Sequence, residues 1–203
     1  MPTGKITSTV SVGGIEFASS VSRTAAGQVS HSTVIPAGIA GVKNSSTTVN
    51  GLVTGHGLVG TDVVDMHWTD PTDGIQRCRR GITIDTANAN DIVFDETPAP
   101  LGDSLPANDT AVVLSKRVTI DTDWDGDLLE MIALKATGRA VADFWDATVS
   151  LVAQKMEADQ ALDWVSNQGV ANPYTGNPVS SIKVSNGTVA AVTFTMGALY
   201  RSV

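Results

Sequence analysis

The residues best suited to bind a ligand form one acidic segment, Asp121-Thr122-Asp123-Trp124-Asp125-Gly126-Asp127. Its alternating carboxylates, with glycine at the sixth position, match the opening of a calcium-binding loop. Carboxylates suit this role because calcium prefers several oxygen ligands. The twelfth position of such a loop carries a bidentate glutamate, and here it is Ile132. Two structures therefore stay open. One is a plain hairpin turn at Asp125-Gly126. The other is a calcium site, whose ligands would be Asp121, Asp123, Asp125 and Asp127.

A second cluster, Arg77-Cys78-Arg79-Arg80, concentrates positive charge in an acidic chain. In a strand, Arg77 and Arg79 would share one face and Arg80 would lie on the other. These three arginines are candidates for an interface with an acidic neighbouring subunit. The alternative is a sheet edge that its charges protect from unwanted pairing. Three charges without interleaved aromatic residues do not predict DNA binding.

The remaining reactive residue types show no catalytic pattern. The histidines, His31, His56 and His67, do not stand at the paired spacings of metal ligands, so we expect structural roles for them. Cys78 is the single cysteine, which excludes an internal disulfide and predicts a small buried side chain. We find no nucleophile motif, acid–base pair or phosphate-binding loop, and therefore predict that the protein is not an enzyme.

Charge and length narrow the class of protein further. The chain has 203 residues and a formal net charge of −8, so it is long enough for a substantial core and repels phosphate backbones. General nucleic-acid binding is therefore not expected. Its apolar runs are too short to span a membrane.

The composition favours β-structure over helix. There are 25 valines and 23 threonines, which suit pleated sheets, against 11 leucines, 4 glutamates and 6 lysines, which build helices. Glycines and prolines punctuate the alternating segments. The predicted fold class is mainly β, with two small β-sandwich or β-barrel-like domains and little helix.

The domain boundary is predicted near residue 118, giving an N-terminal β domain over 1–118 and a C-terminal β domain over 119–203. A proline-rich loop over 97–109 precedes this boundary. Within the second domain, residues 151–164 are predicted as strand, with a helix as the alternative. Residues 181–185 and 189–200 are predicted to form a closing hairpin around Asn186-Gly187.

Three runs of the chain resemble stretches of uncharacterised structural proteins of tailed bacteriophages and prophages. They are Val29-Ser30-His31-Ser32-Thr33-Val34-Ile35-Pro36-Ala37-Gly38, the run from Gly102 to Val112, and Gly169-Val170-Ala171-Asn172-Pro173. The resemblance covers most of the chain as a general texture and contains no diagnostic motif. It implies a structural role in the virion and assigns no catalytic residue.

The first expectation from this resemblance is a capsid decoration (cement) protein. Such a protein would be a homo-oligomer, with a trimer favoured, bound to the major capsid protein of a virion that is assembled in the host cytoplasm. The first alternative is a tail or baseplate protein. The second is a carbohydrate-binding β module that uses the aromatic residues Trp124, Trp145, Trp164 and Tyr174. No cofactor other than a calcium ion, no membrane and no specific nucleic acid is expected.

Overall fold

The computed structural model describes residues 11–12, 15–16, 26–96, 100–121, 128–145, 151–159, 163–166 and 181–201. All the regular secondary structure in these ranges is β-strand, which confirms the mainly β prediction. Residues 151–159 and 163–166 are strands, so the helical alternative for this segment is wrong there. Within the described ranges, no helix is long and apolar enough to cross a membrane.

Seventeen strands occur in these ranges. In chain order they are β1 (Ser11–Val12), β2 (Ile15–Glu16), β3 (Ala26–Ile35), β4 (Ile39–Lys43), β5 (Thr48–Asn50), β6 (Val63–Thr69), β7 (Gln76–Ala87), β8 (Asp91–Asp95), β9 (Leu101–Gly102), β10 (Ala111–Lys116), β11 (Val118–Asp121), β12 (Leu128–Ala136), β13 (Arg139–Trp145), β14 (Leu151–Asp159), β15 (Asp163–Ser166), β16 (Ser181–Asn186) and β17 (Val192–Arg201).

The chain divides into two compact units. The first, here called the barrel unit, comprises Pro36–Arg117 and Ser185–Ala191; the second, the two-sheet unit, comprises Met1–Ile35, Val118–Val184 and Val192–Val203. The change of unit after Arg117 lies one residue from the predicted boundary. The units are not consecutive along the chain, however, because β3 pairs with β17 along ten residues and therefore groups with the C-terminal strands.

A closed antiparallel barrel forms the barrel unit. Its six strands follow the order β6, β10, β4, β5, β8 and β7, and pairing between β6 and β7 closes the ring. The short strand β9 adds to the other side of β7. Closure leaves few free edges for unwanted pairing. The side chains that fill the interior are Val49, Leu52, Leu58, Val64, Met66, Trp68, Ile82, Ile84, Ile92, Phe94, Val112 and Leu114.

The hairpin of β6 and β7, which closes the barrel, contains a bulge that changes which side chains face inward. Val64 pairs with Ile82 and Met66 pairs with Arg79, so Arg80 and Gly81 together stand opposite a single residue of β6. Gly81 has a positive φ of 79°, which is the conformation that glycine supplies at many bulges. The extra residue restores the inward direction of the isoleucines of β7 after the arginine cluster.

A short segment, here called the strap (Ser185–Ala191), belongs to the barrel unit and bonds to strands of the barrel. The amide of Asn186 donates to Ser115 Oγ over 2.9 Å, and the amide of Gly38 donates to the carbonyl of Thr188 over 2.8 Å. The side-chain nitrogen of Asn186 donates to the carbonyls of Pro36 and Ala190. These bonds satisfy the polar groups of a segment that regular pairing does not reach.

The predicted closing hairpin around Asn186-Gly187 is therefore wrong. Instead of a two-residue turn, residues 187–191 of the strap separate β16 from β17, and this loop is organised by the Asn186 side chain. β16 pairs with β11, whereas β17 pairs with β12 and β3.

The two-sheet unit contains two four-stranded sheets, ordered β11-β16-β13-β14 and β15-β12-β17-β3, and the small β1–β2 pair. Its longest pairings join β17 to β3 and to β12. Because β11 and β12 lie in different sheets, they do not form the predicted hairpin across Asp125-Gly126. β11 instead pairs with β16 over four residues, and β12 pairs with β17 and β15.

Two glycines with positive φ separate backbone strain from steric collision. Alanine at Gly74, whose surroundings are open, should cost about 1 kcal/mol for the left-handed conformation alone. Alanine at Gly102 would also collide with the carbonyl oxygen of Cys78, adding about 2 kcal/mol. Urea unfolding of both variants measures the difference. Equal destabilisation of the two variants would contradict the close approach of Gly102 to the Cys78 carbonyl.

Candidate functional site

The chemically active side chains of the barrel gather on its outer face, beneath the strap. Asp65, His67 and Cys78 are buried, with 2%, 1% and 0% of their surface exposed. Their carboxylate, imidazole and thiol ligand atoms all lie within 4.8 Å of one another. We call these three residues the Asp-His-Cys cluster. Carboxylate, imidazole and thiolate are all ligands of zinc and related metals in proteins.

Strand register brings the cluster together. Successive residues of β6 face opposite sides, and Val64, Met66 and Trp68 fill the barrel interior, so Asp65 and His67 face outward. His67 pairs directly with Cys78 in the hairpin of β6 and β7. β6 is thus buried on both faces.

Histidine spacing along the chain does not reveal this cluster, because its members come from two different strands. A usable signal is present in the chain, because the apolar, β-prone residues 63–68 are followed by the turn-forming sequence Asp70-Pro71-Thr72-Asp73-Gly74 and by a second β-prone segment, residues 76–84. Antiparallel pairing about that turn places His67 opposite Cys78. Asp65 follows from the same reasoning, because alternate residues of a strand share a face and Asp65 stands two residues before His67.

His67 connects the strap to β7. Its Nε2 atom lies 3.0 Å from Ser185 Oγ and 3.8 Å from Cys78 Sγ. The backbone of Cys78 is fixed on its other side, because its amide donates to Asp103 Oδ2 over 2.8 Å and its carbonyl accepts the Asp103 amide over 3.1 Å. The thiol is therefore held on a strand with bonded neighbours on both sides.

Asp65 joins the bulge to the end of the barrel unit. Its Oδ1 atom accepts the Gly81 amide over 2.9 Å and Arg117 Nε over 2.7 Å. The Asp65 side chain is 2% exposed and that of Arg117 is 12% exposed, so this ion pair is shielded from water. Removing one partner of such a pair would leave an uncompensated buried charge.

Arg80 is the third arginine of the predicted interface cluster, and the structure buries it at 3% exposure. Desolvation by burial lowers the pKa of its guanidinium, while interactions with Cys78 and Asp65 oppose this change. Arg80 thus belongs to the surroundings of the Asp-His-Cys cluster.

Arg77 and Arg79 are bonded to acids of their own chain. Arg77 contacts Asp70 over 2.9 Å and Asp73 over 2.6 Å, with Asp103 3.9 Å away. Arg79 contacts Glu96 over 2.7 Å. The alternative of a charged sheet edge is wrong, because β7 pairs with β6 on one side and with β8 and β9 on the other.

An open cleft of about 520 Å³ lies beside Arg77, lined by Trp68, Asp70, Asp103, Leu105 and Pro106 among others. It combines one cation with two carboxylates, and Arg77 already lies 2.9 Å from Asp70 and 3.9 Å from Asp103. An anionic ligand would have to compete with these internal ion pairs. The cleft is therefore a weaker candidate for a ligand-binding site than the buried cluster.

Several predicted site residues fall outside the described ranges. Asp121 ends β11, but Asp123, Asp125 and Asp127 are not described, so the calcium prediction stays a prediction. Trp145 and Trp164 lie on β13 and β15, while Trp124 and Tyr174 are outside the described ranges. His31 stands on β3, opposite Met196.

Comparisons with known proteins give little beyond the geometry. No family model matches the chain, and no curated protein matches it. Among solved structures, a crystal structure of the STIV MCP overlaps 89% of this chain and 95% of that chain at 8% sequence identity, with a TM-score of 0.25. A TM-score this low does not establish a shared fold.

The buried ion pair predicts unequal costs for two aspartates. Asp65→Ala should lower the free energy of unfolding by about 3–5 kcal/mol, because Arg117 and the Gly81 amide lose a buried partner. Asp73→Ala, which removes an acid whose side chain is 36% exposed, should cost about 1 kcal/mol or less. Urea denaturation of the two variants measures both. Similar costs would contradict the shielding of Asp65.

A second prediction concerns acid stability. The amide of Thr72 and the guanidinium of Arg77 hydrogen-bond the Asp70 carboxylate and lower its pKa below the ordinary 3.8, against partial desolvation. A lowered folded-state pKa stabilises the protein above the ordinary value, and this stability is lost as the pH falls through the folded-state pKa. Urea midpoints measured across acid pH should decline less steeply in Asp70→Asn. An unchanged slope would count against this assignment.

Proposed function

We propose that the protein is a structural component of a tailed-bacteriophage virion, acting as a capsid decoration protein that stabilises the head through subunit contacts. The observation that carries this proposal is how the barrel unit distributes its side chains. Its reactive residues are buried and bonded, whereas its connecting loops present apolar residues to solvent. The sequence resemblance to phage structural proteins supplies the kind of assembly.

The buried part of this distribution favours mechanical support. Asp65 binds the bulge and Arg117, and His67 contacts Ser185 of the strap. Each bond fixes one strand or segment of the barrel unit to another. A subunit that must resist pressure from packaged DNA benefits from such internal cross-connections, which oppose local opening.

The outward side favours adhesion. The connection between β5 and β6, here called the valine loop (residues 51–62), exposes Val53 at 67% and Val59 at 56%. Each of these valines directly follows a leucine, Leu52 or Leu58, that is buried in the barrel core. The loop thus presents apolar side chains on a backbone anchored in the interior.

Hydrogen bonds further fix the valine loop. His56 accepts the Leu58 amide at Nδ1 over 3.0 Å, and its Nε2 lies 2.8 Å from the carbonyl of Asn88. The side chain of Asn90 donates to the carbonyl of Leu52 over 2.9 Å. Little conformational entropy remains for this loop to lose on binding, which favours contact with a partner. The partner we propose is the major capsid protein, bound by a homotrimer of this chain.

The test is co-sedimentation of the purified protein with shells of the major capsid protein encoded in the same genome. Wild-type protein should bind. The double variant Val53→Ser/Val59→Ser should bind at least about tenfold more weakly, because each buried valine contributes about 1.5 kcal/mol. Val34→Ser serves as the control, because Val34 is 63% exposed but lies in the two-sheet unit, and its binding should not change.

The other outcomes contradict the proposal in distinct ways. Binding to purified tails or baseplates but not to shells would favour the tail alternative. Shell binding that the double variant retains would reject the valine loop as the contact surface. A monomer by light scattering that binds oligosaccharides and not shells would favour the carbohydrate-binding alternative.

A further inference from the structure

The Asp-His-Cys cluster has more than the composition of a metal site. A tetrahedral zinc ion bonds sulfur at about 2.3 Å and imidazole nitrogen at about 2.0 Å, which places two such ligand atoms roughly 3.6 Å apart. Cys78 Sγ and His67 Nε2 stand 3.8 Å apart, close to this separation. A carboxylate oxygen of Asp65 lies within 4.8 Å of both. Small side-chain adjustments would bring all three ligands onto one ion.

We propose that Asp65, His67 and Cys78 bind one divalent transition-metal ion of the zinc class, which joins β6 to β7 on the outer face of the barrel. The thiolate of Cys78 and the carboxylate of Asp65 together neutralise the charge of the ion. The site is independent of the proposed virion role, since it follows from the barrel unit alone.

The surroundings hold the ligands in place. Both hydrogen bonds to Asp65 end on Oδ1, from the Gly81 amide and from Arg117. They fix the carboxylate plane, and the ion takes Oδ2. The Cys78 amide is bonded to Asp103, which fixes the position of the thiolate-bearing residue. Partners that orient ligands in this way typically accompany metal sites in proteins.

Two arginines lie near the proposed ion, and their positive charge favours anionic ligands for it. Arg117 is paired with Asp65, and the buried guanidinium of Arg80 interacts favourably with Cys78 and Asp65. A thiolate at position 78 would bind the metal and also balance part of this positive charge. The cluster thus supplies two anionic ligands, Asp65 and Cys78, beside two arginines.

Ser185 lies beside the proposed ligand nitrogen of His67. Its Oγ atom lies 3.0 Å from His67 Nε2, and the residue is fully buried. Metal binding would replace this hydrogen bond with a metal–nitrogen bond and place the serine hydroxyl, or a water molecule in its stead, beside the ion. Because Ser185 begins the strap, the metal would also help to hold the strap on the barrel.

Cobalt(II) gives a direct test, because Cys78 is the single cysteine of the chain and any thiolate-to-cobalt band must come from it. The site is buried, so the full-length protein is refolded from denaturant in the presence of Co²⁺. We expect a near-ultraviolet thiolate-to-cobalt band and visible tetrahedral d–d bands that saturate at one cobalt per chain. Zn²⁺ added during refolding should abolish them by competition.

Variants assign the ligands. Cys78→Ser should remove the charge-transfer band, and His67→Gln and Asp65→Asn should weaken cobalt binding at least about tenfold, as is typical for loss of a ligand or its support. His56→Gln is the control, since His56 lies on the valine loop and should leave the band unchanged. Circular dichroism checks that each variant refolds.

The wild-type measurement alone can overturn the proposal. If protein refolded with Co²⁺ regains its native circular dichroism but shows no thiolate-to-cobalt band, the cluster is a hydrogen-bonded network and not a metal site. A band of full intensity in a folded His67→Gln variant would equally exclude the shared site.

Discussion

The barrel unit depends on the bond between the Asp65 carboxylate and the Gly81 amide. β6 and β7 can close the barrel only if the bulge between them is stabilised, because Arg80 and Gly81 together face one residue of β6. The bulge leaves backbone groups outside the regular ladder, and a buried amide without a partner is costly. The Asp65 side chain supplies that partner, while Arg117 balances its charge.

The other features of the unit follow from this closure. The bulge returns Ile82 and Ile84 to the interior after Arg79 and Arg80, so one strand carries both a charged cluster and core residues. β6 in turn presents polar residues outward, and the strap covers them. A polar outer face with a bonded cover rigidifies the barrel at the cost of desolvating several ionisable groups. The proposed metal would offset part of that cost, and the proposed adhesion to a capsid would use the rigidity that results.

The sequence predicted the structure best where local patterns decide it. Valine and threonine content indicated a strand-rich fold, and the sequence Asp70-Pro71-Thr72-Asp73-Gly74 is a local turn signal at the place where β6 and β7 are joined. It failed where partners are distant in the chain. Asn186-Gly187 has the composition of a tight turn, but hydrogen bonds to Pro36 and Ser115 hold this segment as a strap. A local sequence pattern identifies residues that can form a turn, but it does not identify their hydrogen-bond partners in distant parts of the chain.

The candidate site shows the same limit. Arg77 is paired with Asp70 and Asp73, which are near in sequence, whereas Arg79 is paired with Glu96, 17 residues away. These internal pairs leave the interface prediction for the two arginines a prediction. His67 is bonded to Ser185, which is more than 100 residues away. The alternation of β6 and the register of its hairpin with β7, which bring Asp65 and His67 to the face of Cys78, could be predicted from the chain itself.

The most direct test of this account is amide hydrogen exchange at Gly81, followed by NMR. If the Asp65 carboxylate closes the barrel, the Gly81 amide should exchange only through global unfolding, with the same free energy as the core amides of β6 and β7. Exchange at the rate of an open loop amide would contradict the central role of this bond.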